Sequence, residues 1–151
     1  MMFWTHIMFA FLLVFSFSEY FNNNLFILLV LFFSILPDID CYNSKIGRKN
    51  RIISYLINIF FKHRGIFHSF IPIMILFFLF YVSNEKMIAF ALLLGYSSHL
   101  ILDAITVQGI MPFYPLTKKK IRGFIKLNGF FEKIILVALI SFALYKIIAL
   151  I

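Results

Sequence analysis

The sequence predicts an all-α, polytopic membrane helical bundle of about five spans with an additional re-entrant or interfacial helix, all within one domain over residues 1–151. Three observations predict it. Of 151 residues, 63% are hydrophobic and only 13% are charged, proportions foreign to soluble domains. The apolar residues fall into five segments separated by polar connections, and the basic residues collect in two of those connections. Each spanning helix with its connection uses roughly 25 to 35 residues, so the chain has no room for a second domain.

The first segment, Phe3 to Ser18, lies in MMFWTHIMFAFLLVFSFSEY, which lacks a basic n-region and has no small-residue cleavage site before Glu19; it reads as a retained first helix. The second, about Leu25 to Leu36, is shorter than the roughly 20 residues of an upright span, which predicts either a start near Tyr20 or a partial dip into the bilayer. In the connection CYNSKIGRKNRIISYLINIFFKHR, the stretch Ile52 to Phe61 mixes apolar residues with Ser54, Tyr55 and Asn58, as suits a helix lying along the membrane surface. Ile66 to Val82 and Met87 to Ile105 are the third and fourth spans. The following connection, VQGIMPFYPLTKKKIRGFIKLNGFFEK, carries two prolines and three glycines and should be irregular or only briefly helical before the last span, Ile134 to Ile151.

With five spans, parity places the N-terminus, the connection between spans 2 and 3 and the connection between spans 4 and 5 on one side. That side holds Lys45, Arg48, Lys49, Arg51, Lys62, Arg64, Lys118, Lys119, Lys120, Arg122, Lys126 and Lys133, twelve of the fourteen basic residues, and is therefore cytoplasmic by the positive-inside rule. The net charge of +8 is thus a topology signal, with Lys118 to Arg122 touching anionic headgroups, and no nucleic-acid partner is expected. Cys41 is the only cysteine, which excludes an internal disulfide and a cysteine-based zinc framework.

The polar residues sort to the same side. His6, Asp38, Asp40, His63, His68, His99, Asp103 and Glu132 all fall at or near span ends there, whereas Glu19 and Glu85 occupy the far turns. Ionisable residues gathered in membrane segments point to a functional site. His99 and Asp103, four apart in GYSSHLILDAIT, lie about 40° apart around a helix and one turn along it, so both can reach one cation or simply bond each other. Gly95, Ser97 and Ser98 before them permit close helix approach or supporting hydrogen bonds.

In LPDID, Asp38 and Asp40 face the same way if the backbone is extended and can then share a metal ion; the alternative is a solvated Pro-Asp turn. In HRGIFHS the histidines are five apart, about 140° on a continuous helix, so a turn at Gly65 is expected, with His63 in the loop and His68 in the first turn of span 3. Pro72 suits an early helical position. Arg64 can pair with phosphate oxygens or a site carboxylate, or snorkel to the interface. Glu132 opens the last span, where a carboxylate meets the helix N-terminus favourably.

Together these elements resemble the family of membrane-bound metal-dependent hydrolases typified by the bacterial inner-membrane protein YdjM. Its elements, an N-terminal His, L-P-D-I-D-H, H-R-G-x-T-H-S, G-Y-x-S-H-x-x-x-D-x-x-T-x-x-G, a proline-rich turn and a late Glu, stand here as His6, LPDIDC, HRGIFHS, GYSSHLILDAITVQG, PFYP and Glu132. Cys41 replaces a His, Phe67 replaces a Thr, and NGFFE shifts the glycine before Glu132. A thiolate also binds zinc, so Cys41 stays a secondary candidate.

More remotely, the order of ligands is similar to that of zinc-dependent phospholipases C and P1-type nucleases. The resemblance implies a divalent-metal centre, zinc first, of one to three ions, with His6, Asp38, Asp40, His63, His68, His99 and Asp103 as ligands. Asp38, Asp40, Arg64 and Glu132 are then the catalytic candidates. The expected function is a metal-dependent phosphoesterase working at the cytoplasmic membrane face on a lipid or lipid-linked substrate, with the bilayer as its partner. The alternatives are a metal-ion or proton-coupled transporter and a non-catalytic membrane binding module.

Overall fold

So apolar a chain meets its backbone hydrogen-bonding needs most completely in helices. Five α-helices form among the residues described by the computed structural model, 3–16, 23–40 (backbone only at 39 and 40) and 65–148: α1 (Phe3–Ser16), α2 (Asn24–Ile35), α3 (Phe70–Val82), α4 (Lys86–Ala104) and α5 (Phe130–Ile148). No β-strand forms among them. The expected surface helix at residues 52–61 lies outside the described residues, as do His63, Arg64 and Cys41.

Local chemistry sets the boundaries. Asn23 has an extended backbone and its Oδ1 accepts the Leu25 N–H at 2.8 Å, so α2 starts at Asn24 and not near Tyr20. Beyond α2, Leu36–Asp40 forms a 3₁₀ helix instead of the extended strand-like turn expected for LPDID. The extended backbone on which the expected sharing of an ion by the two aspartates rests is therefore not formed. Gly65 does break HRGIFHS, but a second break follows. Ile66–His68 is a separate 3₁₀ turn, and the Ser69 hydroxyl caps α3 by accepting the Ile71 N–H at 3.3 Å. His68 therefore precedes the third helix, and Pro72 occupies its first turn. The last helix starts four residues earlier than expected, which brings Glu132 into its first turn.

α4 is the central element. Its Ala91, Leu92, Tyr96 and Leu100 pack with Phe26, Val30 and Phe33 of α2, Ile73 of α3 and Ala10 and Val14 of α1. The α2–α4 approach depends on Gly95, because a Cβ there would lie 2.4 Å from the Val30 carbonyl oxygen and 3.0 Å from the Ser34 nitrogen. Between α4 and α5 the chain doubles back on itself: Thr106 bridges Ile125, and Ile110 and Ile121 exchange two hydrogen bonds of 2.9 Å. Gly109, at φ +63°, makes that return possible, since a Cβ would meet the Ile121 carbonyl oxygen at 2.2 Å.

The outside of the bundle is apolar as well. Leu28, Met74, Phe78 and Val137 are each more than 60% exposed, the pattern of helices whose surroundings are not water. One described helix, α4 at 19 residues, is long and apolar enough to cross a membrane alone; α1, α2 with its 3₁₀ extension and α3 are apolar but shorter.

Gly95→Leu should separate α2 from α4 and cost at least about 1–3 kcal/mol of stability, read as an earlier unfolding transition in detergent. An unchanged transition would show that the close approach at Gly95 is not a packing constraint.

Candidate metal centre

Four chain segments end at one corner of the bundle, and each delivers a ligand-type side chain. His6 comes from the first turns of α1, Asp38 from the 3₁₀ extension of α2, His68 from the turn before α3, and His99 and Asp103 from the last turns of α4. His6, His68, His99 and Asp103 are fully buried, while the Asp38 side chain keeps 19% of its surface open.

The carrier of His68 is held from two directions. Tyr96 of α4 donates its hydroxyl to the Phe67 carbonyl at 2.6 Å, and the Phe70 N–H bonds the Pro112 carbonyl at 2.8 Å. His99 is fixed by its own ring. Nδ1 stands 2.7 Å from the Ser34 carbonyl oxygen, an acceptor only, so Nδ1 must carry the hydrogen. Nε2 of the neutral ring then presents its lone pair to the cluster.

Pro37 removes one competitor for that carbonyl. A 3₁₀ turn would pair the Ser34 carbonyl with the N–H of residue 37, and proline has none. The Ser34 hydroxyl turns away to the Leu31 carbonyl at 2.7 Å.

The donor atoms face one another at separations that hydrogen bonds do not explain. Asp103 Oδ1 lies 3.6 Å from His6 Nε2, and Asp103 Oδ2 lies 3.5 Å from His68 Nε2 and 3.9 Å from His99 Nε2. Asp38 Oδ1 is 3.8 Å from His99 Nε2. Neither ring nitrogen of His6, nor Nε2 of His99, has a hydrogen-bond partner among the described residues. Ligands about 2.0–2.2 Å from a tetrahedral ion stand roughly 3.3–3.6 Å apart, close to the observed spacing. Two trios, His6–Asp38–His99 and His68–His99–Asp103, each place one donor atom per residue within 4.8 Å of the others. Three imidazoles and two carboxylates suit a borderline divalent ion such as zinc.

Of the residues expected at the site, His6, Asp38, His68, His99 and Asp103 are brought together. His63 and Arg64 lie outside the described residues, and of Asp40 only the backbone is described. Glu132 is buried at the start of α5, where Oε2 accepts the Asn128 N–H at 2.6 Å and fixes the turn entering the helix. Ser98 donates to the Gly95 carbonyl at 2.6 Å. One contributor has no side-chain signal in the sequence. It is the Ser34 carbonyl, whose only trace in the sequence is Pro37.

The chain matches the protein family described as YdjM inner membrane protein over residues 1–150. It is 38% identical over 109 residues to the uncharacterized protein YvsG of Bacillus subtilis (strain 168), a match covering 70% of this chain and 68% of that protein. No solved structure matches.

Protein purified in detergent should retain a divalent metal measurable by elemental analysis. His99→Ala and Asp103→Ala should each weaken retention by more than the roughly 10–100-fold typical of removing a residue that merely supports a ligand. Glu85→Gln, at the opposite end of α4, should not change it. Equal metal content in all four proteins would remove the centre.

Proposed function

We propose that this chain, which belongs to the YdjM inner membrane protein family, is a polytopic metal-dependent hydrolase that cleaves a phosphoester of a lipid or lipid-linked substrate at the cytoplasmic membrane face. The single observation that carries this reading is the convergence of His6, Asp38, His68, His99 and Asp103 at one end of the bundle, with donor atoms 3.5–3.9 Å apart. In this reading the helices cross the bilayer and that end lies at headgroup depth, where phosphoesters of lipids reside.

His68, His99 and Asp103 would hold a divalent ion, zinc being the choice most compatible with their donors. A bound ion of this kind lowers the pKa of its water to about 7 and polarises a phosphoryl oxygen. The remaining steps belong to the chain. The Ser34 carbonyl holds His99 in one tautomer, so its Nε2 would remain available to a metal. Asp38, the most open carboxylate described in the cluster, turns one oxygen toward the ligand atoms and would accept the proton of an attacking water on the other. Arg64 is assigned to neutralise the phosphoryl oxygens, and Asp40 and Glu132 join the catalytic set on the family pattern; Glu132 acts through the turn it fixes.

A transporter would carry its ligands near the bilayer midplane with exits to both sides. The terminal position of every described ligand favours hydrolysis.

In mixed-lipid micelles, the purified protein should release water-soluble phosphate-containing products, and a chelator should stop it. His99→Ala should abolish release, and Asp38→Asn should slow it by about 10²-fold or more. Release undiminished by chelator or by His99→Ala would refute the assignment. Orientation is tested separately, in a Cys41→Ser background. An impermeant maleimide should label Glu85→Cys in spheroplasts and Lys119→Cys only in inverted vesicles; the reverse pattern would overturn the cytoplasmic placement.

A further inference from the structure

His6 and His99 are neighbours by distance, yet their ring orientation separates them as ligands. Their rings stack with centroids 3.8 Å apart and planes within 9° of parallel. An imidazole nitrogen binds metal through a lone pair lying in the ring plane. Stacked faces approach no closer than about 3.5 Å. An ion about 2.1 Å from both nitrogens would therefore sit roughly 50–60° out of at least one plane. Parallel rings cannot serve one ion.

His68 stands differently to His99. Their planes cross at 67° with centroids 5.3 Å apart, so in-plane lone pairs from both can meet at a point. The carboxylate of Asp103 spans the division, with Oδ1 toward His6 and Oδ2 toward His68 and His99. Asp38 places a carboxylate oxygen within 4.8 Å of a His6 nitrogen. His6 itself is buried, and both its nitrogens lack hydrogen-bond partners among the described residues, an expensive state for an imidazole that binds nothing.

We infer that the centre holds two divalent ions, one on His68 and His99 and a second on His6 and Asp38, bridged by the two oxygens of Asp103. The inference rests on reading the cluster as a metal centre. The ring stack then has a structural role, spacing two in-plane ions by nearly the roughly 3.5–4 Å found in two-metal hydrolytic sites. Such a pair would clamp both the attacking and the leaving oxygen of an in-line displacement, the chemistry of the phosphoester cleavage proposed above.

The test counts ions without using activity. Chelator-stripped protein in detergent is titrated with Mn²⁺ and followed by electron paramagnetic resonance and elemental analysis. Two ions per chain are expected, with the broadened spectrum of an exchange-coupled pair. His6→Gln, which keeps much of the ring volume, and His6→Ala should each bind one ion with an uncoupled six-line signal. Circular dichroism and elution volume identify which of the two variants is folded, and the folded one is decisive. Saturation of the wild type at one uncoupled ion, or two coupled ions surviving loss of His6, would overturn the two-ion arrangement while leaving a metal centre. No binding of Mn²⁺ or of Co²⁺ by the wild type would overturn the metal reading along with it.

Discussion

The hydrogen bond from His99 Nδ1 to the Ser34 carbonyl is the constraint on which the site depends. It joins the two helices that meet most closely, and it exists because three residues cooperate. Gly95 lets α4 approach the α2 backbone, Pro37 brings no N–H to compete for the Ser34 carbonyl, and His99 reaches that carbonyl from one turn further along α4. A backbone carbonyl cannot change its protonation or rotate away. It therefore fixes both the tautomer and the direction of the ring more firmly than a side-chain acceptor would.

That fixed ring sets the electrostatic problem the rest of the cluster must solve. A carboxylate with no exposure, three buried imidazoles and a second carboxylate with little exposure meet where hydrogen-bond distances are not reached. Desolvating Asp103 alone would cost several kcal/mol if nothing compensated it. A packed apolar corner would be more stable, and the surrounding α4 core shows that the chain has the residues to build one. A divalent metal would resolve the cost, because it interacts with carboxylate and neutral imidazole together, at separations of the size observed.

Much of this was legible in the sequence for a physical reason: membrane helices are long apolar runs, and polar residues that interrupt them are few enough to sort by side. Parity alone brought His6, Asp38, His68, His99 and Asp103 to one interface, and the small side of α4 at Gly95 announced a close helix contact. Short-range backbone geometry was harder. LPDID carries two aspartates whose spacing suits either an extended turn or a 3₁₀ helix, and the continuation of α2 decided for the latter. His68 was placed one break too late, because Ser69 caps as readily as Gly65 turns, and both signals lie within five residues. The Ser34 carbonyl has no side-chain signature, and the pairing of Thr106 with Ile125 depends on contacts across a glycine-rich connection that no periodicity records.

The connection between α4 and α5 bears on what reaches the site. It is tied to the carrier of His68 through the Pro112 carbonyl and to the end of α4 through Gly123, whose amide bonds the Thr106 carbonyl at 3.0 Å. Its outer surface flanks Lys118, Lys119, Lys120 and Arg122 with Phe113, Leu116 and Phe124, all exposed. Apolar side chains favour the acyl boundary, and ammonium and guanidinium groups favour phosphate, so this mixture is most stable where the two media meet. A water-soluble substrate gains nothing from such a border. A molecule with a phosphate head and an apolar tail would be concentrated by it, which is the physical ground for proposing a substrate among lipids.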